Sequence, residues 1–339
     1  MFLGVIAVII FLSILILVHE LGHFLLAKKF GLLVEEFGFG LPPRLWGKKI
    51  GETVYSINAL PFGGFVKIYG EDTDAISGGL RDFRNLFVWK RAIIIAAGVL
   101  MNFLLGWLVI SVVFSIGLPP AVLITDVRPN SPAGGIGLQA GDKIIDFTKV
   151  DEFVRYIDQN RGKEITLKIE RSGKEISFEA TPRINPPVGE GALGIGLVEA
   201  GLPKQNIARS FAEGFKASVE MIKAIFIALF NLISRAVVGK ATLEQVAGPV
   251  GIVKITAQAG SLGFIYLLQL LALISLNLAV INIFPFPALD GGRLLFLLIE
   301  KIKGSPLPVK FEKYANAAGM ALLLFLMAII TIKDISRFL

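Results

Sequence analysis

The sequence predicts a polytopic α-helical membrane protein with four transmembrane helices and a small, mostly-β module inserted between the second and third. Hydrophobic residues make up 54% of the 339, and mean hydropathy is +0.70, above the roughly 45–50% apolar content of soluble domains. Four uncharged runs come near or exceed the ~20 residues that cross a bilayer as a helix. Between the second and third runs charges return and apolar residues alternate with polar ones, the period of a half-buried strand.

The first span covers residues 2–28. Nothing in 2–18 is charged and 21–27 is polar only at His23, so His19, Glu20 and His23 interrupt an otherwise apolar helix. The second, 91–117, is uncharged beyond Arg91, and with the intervening loop completes a first half of the membrane core, 1–118. The module occupies 119–184, where 164–170 and 175–180 alternate around Ser172-Gly173 as a hairpin. A linker with external helices fills 185–260. Within it the uncharged run 224–234 has only 11 residues between Lys223 and Arg235, and the turns before it carry Glu213, Lys216 and Glu220. That composition predicts an amphipathic, interfacial helix. The second half of the core, 261–339, holds spans at 262–289 and 314–332.

Basic residues set the orientation, because Lys and Arg concentrate in cytoplasmic loops. Residues 28–91 hold ten of them, with Lys28, Lys29, Lys90 and Arg91 against the adjacent spans. This loop is expected inside and the N-terminus outside. Lys301, Lys303, Lys310 and Lys313 place the last loop inside too, leaving the module external. The formal net charge of +7 therefore reads as topology, and without basic patches or stacking motifs it gives no case for nucleic acid.

The chain has no cysteine, which excludes disulfides, thiolate ligands and a cysteine nucleophile. Any metal must be held by nitrogen and oxygen. The first segment has neither the basic start nor the small-residue cleavage site of a signal peptide and is expected to be retained.

His19 and His23, the only histidines, are four residues apart with Glu20 beside the first. On a helix this spacing puts both imidazoles on one face, within reach of one tetrahedral Zn²⁺, with Glu20 as general base toward metal-bound water. Ionisable groups at membrane depth are costly and usually functional. A catalytic zinc usually takes three protein ligands, so the third is a carboxylate. Asp290 is the expected one: it ends the third span, where Pro285 and Pro287 break the helix and leave irregular chain at membrane depth.

With His19-Glu20-Leu21-Gly22-His23, the stretch Asn282 to Gly292 and the inserted module in place, the chain resembles the site-2 protease family of intramembrane zinc metalloproteases over nearly its whole length. Residues 127–133 and 137–144 resemble PDZ domains, which bind extended peptides by strand addition. Residues 34–70, through Glu36 to Gly40 and Asn58 to Lys67, resemble the family's membrane-associated β-loop. Gly98 and Asn102 in span two and Gly248 to Gly251 also fit.

The resemblance implies a bacterial plasma-membrane peptidase that cleaves helices of single-span membrane proteins in regulated intramembrane proteolysis. Anti-sigma factors and remnant signal peptides are the typical substrates. It implies His19, His23 and Asp290 as zinc ligands, Glu20 as base, and Asn282, Asn102, Gly63, Gly64 and Phe65 as substrate contacts. Hydrolysis needs an exposed carbonyl that a helix hides, so residues 54–68 are expected to offer a strand edge to the unwound segment. The chain departs from the family pattern in having one PDZ-like module where an enteric member has two.

Two other classes use parts of this pattern. A divalent cation transporter also pairs intramembrane histidines with carboxylates, but needs neither Glu20 nor a peptide-binding-like insert. A catalytically inactive PDZ adaptor has no use for an intact His19, Glu20, His23 and Asp290.

Overall fold

The computed structural model describes residues 2–71, 81–171, 173–187, 189–239 and 247–338. It divides into a membrane unit, residues 1–110, 214–260 and 266–339, and an inserted unit, residues 111–213 with 261–265.

The membrane unit begins with α1 (Phe2–Lys29), a hairpin of β1 (Val34–Ile50) and β2 (Thr53–Ile68), and α2 (Val88–Ile116). Both helices are apolar over most of their circumference, as membrane-spanning helices are. They pack closely because position 22 has no side chain: a Cβ there would lie 2.4 Å from the Ala97 carbonyl oxygen and 2.8 Å from Met101 Cγ. Small residues permit this approach between membrane helices. On its other side α2 meets α7 (Phe264–Ile283), where a Cβ on Gly106 would come within 2.7 Å of Leu276 and the Ser275 hydroxyl donates to the Asn102 carbonyl at 2.7 Å.

The hairpin folds back on itself. Residues 36–39 pair with 64–67 on one side and with 54–57 on the other, while 44–50 pair with 53–58. The expected edge over 54–68 is therefore narrower in the structure: 54–57 are paired on both sides, whereas among the described residues 64–66 are paired on one side, with 37–39. Phe24 of α1 holds the sheet, with ring centroids 5.2 Å from Phe37 and 6.0 Å from Tyr55.

Among the described residues, five helices are long and apolar enough to cross a membrane: residues 5–29, 88–116, 207–236, 264–283 and 309–336. The additional one, beyond the four expected, is α5 (Ile207–Val237), a single unbroken helix. Arg209, Glu213, Lys216, Glu220 and Lys223 recur every three or four residues, so they line one stripe and interrupt the apolar run without interrupting the helix. Phe215 of α5 stacks edge-on against Phe103 and Trp107 of α2.

The expected third span, 262–289, is three pieces. After α6 (Pro249–Leu262), Gly263 turns at φ 125°. α7 then ends at Ile283, and the chain is irregular to Leu289 before α8 (Asp290–Lys303). The last helix, α9 (Val309–Phe338), runs past both ends of the expected 314–332. Its Asp334 carboxylate accepts the backbone N–H groups of Gly248 and Gly251 at 2.9 and 2.8 Å, satisfying orphan donors at the start of α6.

The inserted unit is a five-stranded antiparallel sheet in the order β6 (Lys174–Ala180), β5 (Ile165–Arg171), β4 (Lys143–Ile144), β3 (Leu118–Val127), β7 (Ile195–Leu202). The expected hairpin is β5–β6, in register from Ile165↔Ala180 to Arg171↔Lys174. The edge strand β7 lies beyond residue 184, so the sheet extends past the boundary that alternation predicts. With α3 (Pro132–Gly135) and α4 (Val150–Gln159) the sheet encloses Val122, Ile124, Phe153, Ile157, Leu167 and Ile169.

One buried ion pair closes this unit. Arg171 donates to both oxygens of Asp142 at 2.6 Å, and Asp142 is only 1% exposed. Breaking a buried pair costs about 3–5 kcal/mol; with Arg171 a quarter exposed, Arg171→Ala is expected to cost about 2–4 kcal/mol. Hydrogen exchange in the full chain should then quicken across β3 to β7 by roughly 30-fold or more, since 1.4 kcal/mol is about tenfold. Unchanged exchange would mean that the pair is not a closing element.

Candidate active site

His19 and His23 stand one turn apart on α1 facing α2, each 9% exposed. Three positions of α2 at four-residue spacing receive them. The Ile94 carbonyl lies 2.9 Å from His23 Nδ1, and the Asn102 amide nitrogen 3.3 Å from His19 Nδ1. Between them Gly98 leaves room for both rings, because a Cβ there would lie 2.5 Å from His23 Nε2 and 2.7 Å from His19 Nε2. With Ile94 accepting its Nδ1 proton, His23 keeps a lone pair on Nε2, the form that binds metal.

Asp290 reaches the same point from the far end of the chain. The turn after α7 is tight enough that a Cβ on Gly291 would lie 2.1 Å from the Phe284 carbonyl oxygen, and one on Gly292 2.3 Å from that of Phe286. Ala288 adopts φ 77°, unusual for a residue with a side chain. The Asn316 side chain on α9 accepts its N–H at 3.0 Å. Also on α9, Gly319 admits the Pro287 carbonyl to within 2.4 Å of where its Cβ would be. The turn is thereby over-determined, and it delivers Asp290 as the first residue of α8, where a carboxylate also complements the helix dipole. One turn on, Arg293 pairs with Glu71 just past β2.

His19, His23 and Asp290 each offer one ligand atom, all within 4.8 Å of one another. The edges of the triangle are 3.2 Å between the two Nε2 atoms and 3.0 and 3.5 Å from them to Asp290 Oδ2. Donors about 2.0–2.1 Å from a tetrahedral zinc stand roughly 3.3 Å apart, so the triangle matches one face of such a site. Asp290 Oδ2 is buried without a hydrogen bond although His19 Nε2 lies 3.0 Å away. A cation at the centre of the triangle removes that cost.

Glu20 lies beside the triangle and under β2. A Cβ on Gly64 would sit 3.3 Å from Glu20 Cγ, so β2 passes close to this side chain. Gly63 has φ 104° and faces Leu41, while the Phe65 ring covers Gly38, where a Cβ would meet it at 2.5 Å. Asn282 is part-exposed in the last turn of α7. Asn102 is 1% exposed and contacts His19. The Ile94 carbonyl, which sequence reading cannot single out, is the acceptor for His23.

The model for peptidase family M50 matches residues 7–326, a range that takes in His19, Glu20, His23 and Asp290. The chain belongs to peptidase family M50. This is the site-2 protease family that the motifs resemble, and the chain is a peptidase. It is 38% identical to a candidate zinc metalloprotease of Clostridium perfringens over 95% of its own length and 96% of the relative's. It is 31% identical to the regulator of sigma-W protease RasP of Bacillus subtilis, over 98% of each chain. It is also 30% identical to the regulator of sigma-E protease RseP of Escherichia coli, over 97% of each. The latter alignment runs over 443 positions against 339 residues in this chain, so RseP carries additional segments. The metal in the names of several M50 relatives is zinc.

Proposed function

We propose that this M50 peptidase hydrolyses peptide bonds within transmembrane helices of single-span membrane proteins, with zinc held by His19, His23 and Asp290. The carrying observation is the convergence of these three donors near Glu20, which lies close to Gly64 of β2. When bound, zinc supplies Lewis-acid polarisation and lowers the pKa of a water. Glu20 takes the proton of the attacking water and returns it to the leaving amide nitrogen. Residues 64–68 hold the unwound substrate extended by strand addition, Gly64 keeps the space over Glu20 open, and Gly63 and Phe65 flank it. The Asn282 amide donates to a substrate carbonyl. Anti-sigma factors and remnant signal peptides, shortened by an earlier cleavage, are the substrate class; the sigma-regulator names of RasP and RseP support this.

Four crossings of a bacterial plasma membrane fit the site. α1 carries its motif near its C-terminal end and α7 precedes Asp290, so both helices reach the site in the same direction. An even number of crossings must then separate α2 from α7. α6, at 14 residues, is too short to cross, so α5 lies along the external surface with its charged stripe to water. The N-terminus and the inserted unit are external and the site is toward the cytoplasm. The inserted unit is a PDZ-like domain with β7 as an open edge for an extended peptide.

Detergent-purified protein is expected to cleave a tagged single-span helix, to lose this activity on chelation, and to recover it with zinc. Metal-binding protein that cleaves none of several helices, yet moves zinc into vesicles, would replace the reading with a transporter. Neighbouring strand residues turn their N–H groups to opposite sides. Hence one of Phe65→Pro and Val66→Pro removes an outward donor, and that variant should cut cleavage at least ~10-fold with zinc retained. Full cleavage by both would remove the edge from the mechanism.

A further inference from the structure

The two histidines are held by unlike partners. His23 Nδ1 faces a backbone carbonyl, which fixes one tautomer and which no substitution deletes. His19 Nδ1 faces the side-chain amide of Asn102, a group that offers a donor at one end and an acceptor at the other.

The amide as placed leaves a debt. Its nitrogen lies 3.3 Å from His19 Nδ1, so that ring nitrogen must accept and the ring proton sits on Nε2, pointing at the triangle. Asn102 Oδ1 is meanwhile buried without a hydrogen bond, a costly condition for a carbonyl. A half-turn of the amide exchanges the two ends in the same volume. Oδ1 then accepts the Nδ1 proton, and Nε2 is left with its lone pair toward His23 and Asp290. The turn of α2 that carries Asn102 is held from behind by Ser275 of α7, which donates to the Asn102 backbone carbonyl at 2.7 Å and is wholly buried.

We propose that Asn102 is a positioning residue that sets the tautomer of His19, its amide presenting Oδ1 to Nδ1–H so that Nε2 is left free for metal. This rests on the zinc reading of the triangle. It goes beyond that reading in assigning to a buried side chain the choice of which His19 nitrogen is free.

Zinc affinity by chelator competition on the purified full chain tests it without reference to cleavage. Asn102→Leu keeps the bulk and removes the acceptor, and should weaken binding 10–100-fold. Asn102→Asp keeps the acceptor and removes the donor, and should bind within about threefold of wild type. Equal affinity for wild type and Asn102→Leu, or equal loss in both variants, would overturn the proposal. Should Asn102→Asp fail to fold, the wild type decides. With two histidines in the chain, ring ¹⁵N spectra of histidine-labelled, zinc-loaded protein should show both protonated at Nδ1, and a His19 protonated at Nε2 would overturn the proposal. No zinc binding by wild type would sink the metal reading, whereas tight binding indifferent to Asn102 would sink this inference alone.

Discussion

Gly98→Ala should abolish zinc binding while leaving the membrane helices folded. The new methyl carbon would lie 2.5 Å from His23 Nε2 and 2.6 Å from His19 Cε1, about 1 Å inside van der Waals contact with two rings at once. The helices cannot relieve this by separating, because the contact of Gly22 with Ala97, one residue away, sets their distance. The rings must swing instead, which breaks the bond from His23 Nδ1 to the Ile94 carbonyl and opens the triangle. Loss of one orienting bond alone costs 10–100-fold in metal affinity, and here both ligands are displaced, so a loss above roughly 100-fold is expected. Chelator competition reads it directly. Gly135→Ala is the control, having open space at its Cβ position. Wild-type affinity in Gly98→Ala would show that α2 does not shape the site.

Glu20→Gln should leave zinc bound and stop the chemistry. The substitution keeps the shape beside Gly64 and removes the base, and positioned acid–base groups contribute about 10²–10⁴-fold. The loss should fall on kcat with KM little changed, because Glu20 acts on the proton in flight and not on substrate binding. Metal content and single-turnover cleavage measured on the same sample separate the outcomes. Loss of zinc in Glu20→Gln would make Glu20 a ligand. Cleavage at the wild-type rate would pass the role of base to another group.

Much of the site is legible because its chemistry is written in rare residues. Two histidines with a local helical spacing, no cysteine and a membrane context leave few donors, and Asp290 stands out as an acid ending an apolar run broken by prolines. The β5–β6 hairpin is legible for a similar reason: its period-two alternation is local. The length of α5 is less legible, also for a physical reason. A linear window sees Lys216, Glu220 and Lys223 as breaks, whereas around a helix they fall on one side. The inserted sheet is cut short at 184 because β7 pairs with β3 across some seventy intervening residues, a partnership that no local pattern announces.

The sequence by itself determined the apolar helices, the helical placement of His19, Glu20 and His23, and the restriction of any metal site to nitrogen and oxygen donors. These follow from composition and from the fixed geometry of one helix. Tertiary structure alone decided that Asp290 meets the histidines, that 54–57 of the β-loop are paired on both sides, and that Asn102 is buried against His19. Each of these depends on how closely backbones from distant parts of the chain approach. That distance is set by the absent side chains of Gly22, Gly98, Gly106 and Gly291, whose consequence appears only when the opposing helix or turn is in place.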